Sequence, residues 1–262
     1  MTSITDYFQT NLRAEKALSQ EQKDDAHRLR FSVYCNERGY EDSNNFPDQL
    51  ESDEYDIGAV QTLIRHRESN HPLGVARLVL PEQINSERPF PIEKHFGHVF
   101  DKSILQQFDF SDHNIAEISR FAISQQSIEY IFSNSSQPSI ESLMTFRRTA
   151  KELVPHISLG LIAMLFTMSQ QHQIKYLYAA MEPSLNRRLA RLGIKFTQIG
   201  PVINYHGKRQ PMIGKVDDLL RNIYYEKNDF FQLIKSMGGA RYFDEQLPLN
   251  IYPGVGELAT AW

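Results

Sequence analysis

The chain has 262 residues, 41% of them apolar, and a formal net charge of -4 at pH 7. The apolar fraction is enough for a hydrophobic core and excludes a disordered protein, and the length suits one large domain. The acidic balance argues against general nucleic-acid binding, because that function requires a basic surface.

The cysteine count and the length of the apolar stretches further restrict the class of protein. Cys35 alone excludes an internal disulfide framework and a site of several thiolates, and we interpret it as a packed small residue. The N-terminal segment has no apolar core of signal-peptide length, and Ile157–Met168, the most apolar stretch, is too short to span a bilayer. We therefore predict a cytoplasmic protein without stable membrane insertion.

Two helices, a hairpin and a further strand are predicted in the first half of the chain. Helical and alternating spacings of apolar residues separate the helices from the strands. In chain order, we predict helices over Asp6–Leu18 and Glu21–Tyr40, a loop over Glu41–Glu51, hairpin strands over Ala59–His66 and Leu73–Leu80, an irregular segment over Pro81–Phe100 and a strand over Ala116–Ser124.

The second half alternates strands with helices. In chain order, we predict a mobile loop or insertion over 125–141, a helix over Ser142–Gln171, a strand over Ile174–Met181, a helix from Pro183 to Leu192, a strand pair over Lys195–Tyr205 and Gln210–Val216, and a helix over Val216–Lys235. Residues 1–237 are predicted to form one domain and residues 238–262 a tail. The order predicts an α/β fold with a mixed central sheet flanked by helices.

Four charged patches lie within segments that otherwise read as apolar. They are Arg30–Tyr34, Glu51–Asp56, Val75–Pro81 and Glu117–Ile123. Buried charges are costly unless they are paired. We therefore expect Arg30, Arg77 and Arg120 to pair with Asp53, Asp56 and Glu117, either as a structural ion network or as the wall of an active site.

Five short motifs in these patches point to a family. They are Arg30 with Val33 and Tyr34, the aromatic Tyr40, the pair Asp53 and Asp56, Arg77 in the hairpin, and Glu117, Arg120 and Phe121 in the following strand. Together they resemble the acyl-homoserine-lactone (autoinducer) synthases and the related N-acyl amino acid synthases, which have the GNAT (N-acetyltransferase) fold. The resemblance implies a V-shaped substrate cleft between the central strands.

Longer strings resemble the acyltransferase group associated with PEP-CTERM/exosortase systems. They cover Arg30–Asp42, Phe46–Asp56 and Met181–Pro211. Two features depart from the wider pattern. Tyr40 stands where autoinducer synthases usually have Trp, and no basic, Gly-rich coenzyme A loop precedes Leu159–Ser169. The second departure favours an acyl carrier protein over acetyl-coenzyme A as donor.

The resemblance implies amide formation from an acyl thioester and an amine, with no permanently bound cofactor. Glu117 is the candidate proton acceptor; the alternative is that it pairs with Arg30 or Arg120. Backbone N–H groups near Phe121 and Ala122 are the oxyanion donors that the resemblance implies.

The remaining polar candidates are assigned to the acceptor. We expect Arg30, Tyr34, Tyr40, Asp53, Asp56, Arg77 and Arg120 to form the substrate-binding set. Asp53 and Asp56 would bind the acceptor ammonium or order the loop beside it. Arg77 and Arg120 would grip the acceptor carboxylate or balance the two aspartates.

Apolar and basic residues of the second half are assigned to the donor. Met164, Phe166, Met168, Tyr178 and Met181 are candidates for an acyl-chain pocket, with ordinary core as the alternative for each. Arg147, Arg148 and Lys151 form a candidate docking face for an acidic acyl carrier protein, with a solvated helix face as the alternative. The histidines show no ligand spacing that predicts a metal site.

These observations predict an N-acyltransferase that moves a fatty acyl group from acyl carrier protein or coenzyme A to an amino acid or related amine. An acyl-homoserine-lactone synthase using S-adenosylmethionine is the alternative within the class. A non-catalytic acyl-binding module is the alternative outside it.

Overall fold

The chain folds around an eight-stranded mixed sheet. The computed structural model describes residues 3–84, 89–109, 114–133 and 140–240, and describes only the backbone of residues 83, 133 and 140–150. The strands are β1 (Leu12–Lys16), β2 (Ala59–His66), β3 (Pro72–Val79), β4 (Ile115–Ile123), β5 (Tyr176–Met181), β6 (Thr197–Gln198), β7 (Ile203–Asn204) and β8 (Lys208–Lys215). Their order is β1-β2-β3-β4-β5-β8-β6, with β7 also paired to β8. Only β4 and β5 are recorded as a parallel pair among these described strands.

Helices cover both faces of this sheet. They are α1 (Ile4–Asn11), α2 (Gln20–Phe31), α3 (Pro91–Phe96), α4 (Lys102–Leu105), α5 (Gln125–Ser133), α6 (Ile140–Gln171), α7 (Pro183–Ala190), α8 (Val216–Glu226) and α9 (Asn228–Ser236). A capping box between Ser19 and Gln22 starts α2, which continues as a π-helical turn over Ser32–Glu37. The predicted α/β class and the predicted β2–β3 hairpin are confirmed.

Four predictions for local structure need correction. The predicted helix Asp6–Leu18 ends at Asn11, because Leu12–Lys16 pairs with β2. The predicted loop 125–141 is helical over Gln125–Ser133 and from Ile140 onwards; residues 134–139 lie outside the described residues. Pro91–Phe96 is a helix within the segment predicted to be irregular. The last predicted helix divides at Lys227, whose non-helical backbone separates α8 from α9.

The long helix α6 forms the centre of the core. It passes close to α1 at Gly160, where an added Cβ would lie 2.3 Å from the Phe8 ring. In the described part of the chain, Lys151–Gln171 is a helix long and apolar enough to cross a membrane by length and composition, with mean hydropathy 1.4. It is longer than the apolar stretch Ile157–Met168 considered above. Because 72% of that window is buried inside the protein, we interpret Lys151–Gln171 as a core helix.

The sheet divides between its two parallel strands. β4 and β5 pair from Ile115–Tyr176 to Ile118–Ala179 and no further. Beyond this point β4 stays with β3 and β5 stays with β8, so the two strands diverge. The predicted V-shaped cleft between the central strands is therefore confirmed.

A β-bulge lies on β4 just beyond the division. Val75 pairs with Ala122 and Arg77 pairs with Ser119, so two residues, Arg120 and Phe121, face a single residue on β3. A bulge leaves one residue outside the regular ladder and redirects the side chains that follow it. Arg120 has a φ of +49°, which a side chain with a Cβ adopts only at an energetic cost.

Candidate active site

A cleft of about 810 Å³ occupies the division between β4 and β5. Residues on both faces of the sheet line it, because it passes through the gap between the strands. Its polar end includes Tyr34, Tyr40, Asp53, Arg77, Glu117, Arg120, Tyr205 and His206. Its apolar end includes Ile162, Leu165 and Phe166 of α6 and Leu185, Leu189 and Leu192 on and after α7.

Arg30 forms the centre of an ion network beside the polar end. Its side chain is completely buried near the end of α2. Its Nη1 and Nη2 donate to the two carboxylate oxygens of Asp56 at 2.6 and 3.0 Å, and its Nε donates to Glu51 at 2.5 Å. This planar fork uses all three nitrogens of the guanidinium, so Arg30 holds protein groups and does not line the cleft.

Arg77 joins the network from β3. Its Nη1 and Nη2 donate to Asp53 at 2.5 and 3.0 Å, and Nη1 lies 2.9 Å from Asp56. Its Nε donates to the Ser119 hydroxyl at 2.9 Å. Although Arg77 reaches the cleft wall, its side chain is 1% exposed. The geometry fits the interpretation in which Arg77 balances the aspartates.

Arg120 completes the network from the bulge on β4. Its Nη2 donates to Glu51 at 2.9 Å and to Asp53 at 3.0 Å. Its guanidinium also lies over the Tyr34 ring, 5.3 Å from the centroid. These contacts offset the cost of its left-handed backbone and fix a side chain that is still 24% exposed. Arg120 is therefore the arginine of the network that is most accessible from the cleft.

Asp53 and Asp56 also build the turn that carries them. The Asp53 N–H donates to Asp56 at 2.8 Å, and the Tyr55 N–H donates to Asp53 at 2.9 Å, which caps the 3₁₀ turn Glu54–Gly58. The turn thus presents both carboxylates to the arginines. Of the two readings made from sequence, ordering of the loop is the one that these contacts support.

Three guanidinium groups face three carboxylates at short range, and the Glu41 carboxylate lies 3.8 Å from Arg120 at the edge of the network. Burial alone would raise the pKa of Glu51, but Arg30 and Arg120 hold it below its usual value. Burial would also raise the pKa values of Asp53 and Asp56, but their contacts with the arginines outweigh the effect of burial. The pKa of each carboxyl therefore lies below its usual value. All three are therefore ionised at neutral pH.

Glu117 is a buried carboxyl whose surroundings differ from those of Glu51, Asp53 and Asp56. Its side chain is 3% exposed, and its recorded hydrogen bond comes from the Ile92 N–H of α3 at 2.8 Å. Within the described part of the chain it forms no ion pair. Burial raises the pKa of Glu117 to about 8, although the Ile92 N–H and the charges of Arg77 and Arg120 act in the opposite direction.

The predicted clustering of Arg30, Asp53, Asp56, Arg77 and Arg120 is confirmed, but one predicted partner is wrong. The third carboxylate is Glu51, which is 1% exposed and binds Arg30 and Arg120. Glu117 pairs with neither arginine. Three arginines require three carboxylates, and that count alone does not distinguish Glu51 from Glu117.

Aromatic residues form the mouth of the polar end. Tyr34 and Tyr40 line the cleft as predicted, with ring centroids 6.4 Å apart. Tyr40 also lies 5.8 Å from the ring of His206, and Tyr205 lies 4.6 Å from it. The turn that carries His206 thus reaches the cleft.

Two of the five candidates for the acyl-chain pocket line the cleft. Phe166 and Met181 line the cleft, whereas Met164, Met168 and Tyr178 do not. The face of α6 toward the cleft carries Ser158, Ile162, Leu165 and Phe166, so Met164 and Met168 lie on another face of the same helix. The Tyr178 side chain is on the opposite sheet face, packed against Phe90 and Phe100.

Other candidates are placed as follows. Phe121 lines the cleft and Ala122 does not. Lys151 is exposed, while Arg147 and Arg148 lie among the residues whose side chains are not described. Burial raises the pKa of Cys35, which does not suit a nucleophile. No group of residues suited to a metal ion occurs in the described ranges.

Comparisons with known proteins agree with this geometry. A family model described as an acetyltransferase (GNAT) domain matches residues 29–127. These residues carry the end of α2, the carboxylate turn, the hairpin and β4, which together supply the ion network and Glu117. No curated protein matches the sequence.

Solved structures extend the likeness over most of the chain. The acyl-homoserine-lactone synthase LasI matches with a TM-score of 0.53 and 16% identity, over 82% of this chain and 95% of that one. FeeM, an N-acyl amino acid synthase from uncultured soil microbes, matches with a TM-score of 0.52 and 15% identity, over 83% and 97%. BjaI, a coenzyme-A-dependent acyl-homoserine-lactone synthase, matches with a TM-score of 0.53 and 17% identity, over 87% and 89%. At these identities the likeness establishes the fold, which is the GNAT fold predicted from the sequence.

Proposed function

We propose that this chain is an N-acyltransferase that moves a fatty acyl group from a thioester to the amine of an amino acid or related small molecule. One observation carries the proposal. Glu117, a buried carboxyl with a raised pKa, lies where the sheet divides and where the polar and apolar ends of the cleft meet. The GNAT domain match and the fold support acyl transfer as the reaction class.

The reaction forms one bond and breaks one. The acceptor ammonium gives a proton to Glu117, directly or through water, and the amine nitrogen then attacks the thioester carbon. The new C–N bond replaces the C–S bond, and the departing thiolate takes the second proton, which the nitrogen loses as it becomes an amide. A general base is most effective when its pKa lies near the working pH, and a value of about 8 meets this condition.

Backbone N–H groups at Phe121 and Ala122 are the proposed oxyanion donors. The pairing of β4 with β5 ends at Ile118, and the bulge follows directly, so this segment is free of the parallel ladder. Donors fixed by the backbone need no reorganisation as charge develops on the thioester oxygen.

The two ends of the cleft suit the two substrates. Arg120, Tyr34 and Tyr40 at the polar end would contact the acceptor, while Arg30 and Arg77 hold the carboxylate turn in place. The stripe of α6 that faces α7 would take the acyl chain. Holding both reactants in a reactive orientation lowers the activation barrier by about 7–11 kcal/mol in favourable cases.

The donor is proposed to be an acyl carrier protein or coenzyme A thioester, with Arg147, Arg148 and Lys151 as the carrier-protein docking face. Incubation of the purified protein with acyl carrier protein or coenzyme A thioesters and a mixture of amino acids tests the function. We expect release of free thiol, and mass spectrometry should detect an N-acyl amino acid. A location in the cytoplasm and an association with PEP-CTERM/exosortase systems remain predictions from the sequence.

The matched variants are Glu117→Gln and Glu54→Gln. The first removes the proposed base and should lower turnover by about 10²-fold or more while the protein stays folded. The second removes an exposed carboxylate that pairs with Lys94, and turnover should continue. Absence of thiol release for every donor length and amino acid contradicts the proposal. A lactone formed from S-adenosylmethionine would instead identify a homoserine-lactone synthase.

A further inference from the structure

The N-terminus of α5 already holds an anion from within the chain. The Glu37 carboxylate accepts hydrogen bonds from the Gln125 N–H at 3.0 Å, the Gln126 N–H at 3.3 Å and the Ser124 hydroxyl at 2.7 Å. The first N–H groups of a helix have no partner within the helix and attract anions such as phosphate. Glu37 therefore fills the position that a phosphate would otherwise take.

Local structure holds Glu37 in that position. It is the last residue of the π-helical turn Ser32–Glu37 that continues α2. At the start of the same turn, the Ser32 hydroxyl donates to the Gln126 side chain at 3.1 Å. Two contacts thus fix the turn to the start of α5, and a tethered carboxylate competes at high effective concentration with any free anion.

This helix start lies on the path of a thioester donor. Ile123 and Gln125 line the cleft, and α5 begins directly after β4. From Glu117 to Gln125 there are eight residues, one of them taken up by the bulge, so at about 3.3 Å each the segment spans about 23 Å. An extended pantetheine arm has a length of this order. A donor whose thioester lies beside Glu117 and whose arm follows β4 would bring the end of that arm to Glu37.

We propose that Glu37 is a specificity-determining residue that makes the cleft reject the diphosphate of coenzyme A. A diphosphate here would meet a carboxylate of like charge and would find the helix N–H groups occupied. The donors selected are thioesters of pantetheine whose other end binds elsewhere, as it does when the arm is attached to a carrier protein. The assignment of the arm to this cleft rests on the function proposed above.

Calorimetric titration with coenzyme A and with pantetheine tests the inference without requiring turnover. For the wild type we expect coenzyme A to bind no more tightly than pantetheine. In Glu37→Ala the helix N–H groups become free, so affinity for coenzyme A should rise about tenfold while that for pantetheine stays within about twofold. Glu182→Gln is the matched control, because it removes an exposed cleft carboxylate that pairs with Arg209 and is not recorded in contact with α5.

The outcomes separate this inference from the proposed function. Wild-type protein that binds coenzyme A at least about tenfold more tightly than pantetheine overturns the inference. So does an unchanged ratio in Glu37→Ala, or the absence of binding of both ligands. If Glu37→Ala fails to fold, Glu37→Gln, which keeps an acceptor oxygen without the charge, answers the same question. Binding as expected with no acyl transfer from any thioester refutes the proposed function alone.

Discussion

Glu51 and Glu117 are buried to the same degree, with exposures of 1% and 3%, yet their pKa values move in opposite directions. The charge of Arg120 acts on both. Glu51 contacts two guanidinium groups directly, whereas the recorded hydrogen bond of Glu117 comes from a backbone N–H. Direct ionic partners, and not burial, therefore decide whether a carboxyl in this protein is a fixed charge or a group that exchanges a proton near neutral pH.

The difference divides the work of the site between two regions. The network of Arg30, Arg77 and Arg120 with Glu51, Asp53 and Asp56 consists of closely paired opposite charges, so it suits a scaffold. The region around Glu117 has a titratable group next to an apolar channel, which suits chemistry. Substitutions in the two regions should consequently affect different quantities.

Arg30→Ala should produce the largest effect, on stability. It leaves Glu51 and Asp56 buried with fewer cationic partners, and removal of one member of a buried ion pair costs about 3–5 kcal/mol. Urea unfolding at pH 7 measures the change in the free energy of unfolding.

Arg28→Ala is the matched control on the same helix. Arg28 is 60% exposed at its side chain and pairs with Asp25 at 3.1 Å. Its loss should change the free energy of unfolding by less than about 0.5 kcal/mol. Equal losses in the two variants would mean that the buried network does not support the fold.

The scaffold was largely predictable from sequence. The hairpin follows from alternating residues on either side of a turn, and β2 begins and ends where predicted. Charged residues in apolar segments must find partners, and this requirement brings Arg30, Asp53, Asp56, Arg77 and Arg120 together. The requirement does not depend on knowing the three-dimensional arrangement.

The partners within the site were not predictable. Glu117 and Arg120 are three residues apart, which places side chains on opposite faces of a regular strand, and the bulge at Arg120 changes that relation. The Ile92 N–H comes from a helix in a proline-rich segment that predicts irregular structure. Met164 and Met168 do not line the cleft, because the cleft follows the face of α6 that carries Ile162, Leu165 and Phe166.

Glu117→Gln should produce the next largest effect, on rate. Loss of a general base lowers kcat by about 10²-fold or more. In the wild type, kcat/KM should rise with pH and level off near the pKa of about 8, because the ionised carboxyl is the active form. Stopped assays of thiol release from pH 6 to 9 measure this profile. A rise of the same shape in Glu117→Gln would assign the titration to another group.

The stability of the wild type should fall as the pH rises from about 5 to 8. In the folded protein Glu117 keeps its proton up to about pH 8, whereas in the unfolded chain it ionises near its ordinary value. The folded state therefore binds more protons in this window, and stability decreases by up to about 1.4 kcal/mol per pH unit relative to Glu117→Gln. Urea unfolding of both proteins across the window gives the difference, and a constant difference would show that Glu117 ionises normally.

At acid pH, stability should instead fall as the pH falls, and the difference in stability between the variants should be smaller. Glu51, Asp53 and Asp56 have lowered pKa values, so their contribution is complete above the ordinary carboxyl range and is lost as the pH falls below about 4. Glu117→Gln should lose stability in parallel with the wild type there, because Glu117 is protonated in both states. Arg30→Ala should lose about 1 kcal/mol less per pH unit, since its carboxylates have already lost a principal partner. Parallel acid curves for Arg30→Ala and the wild type would place the acid-sensitive groups outside the network.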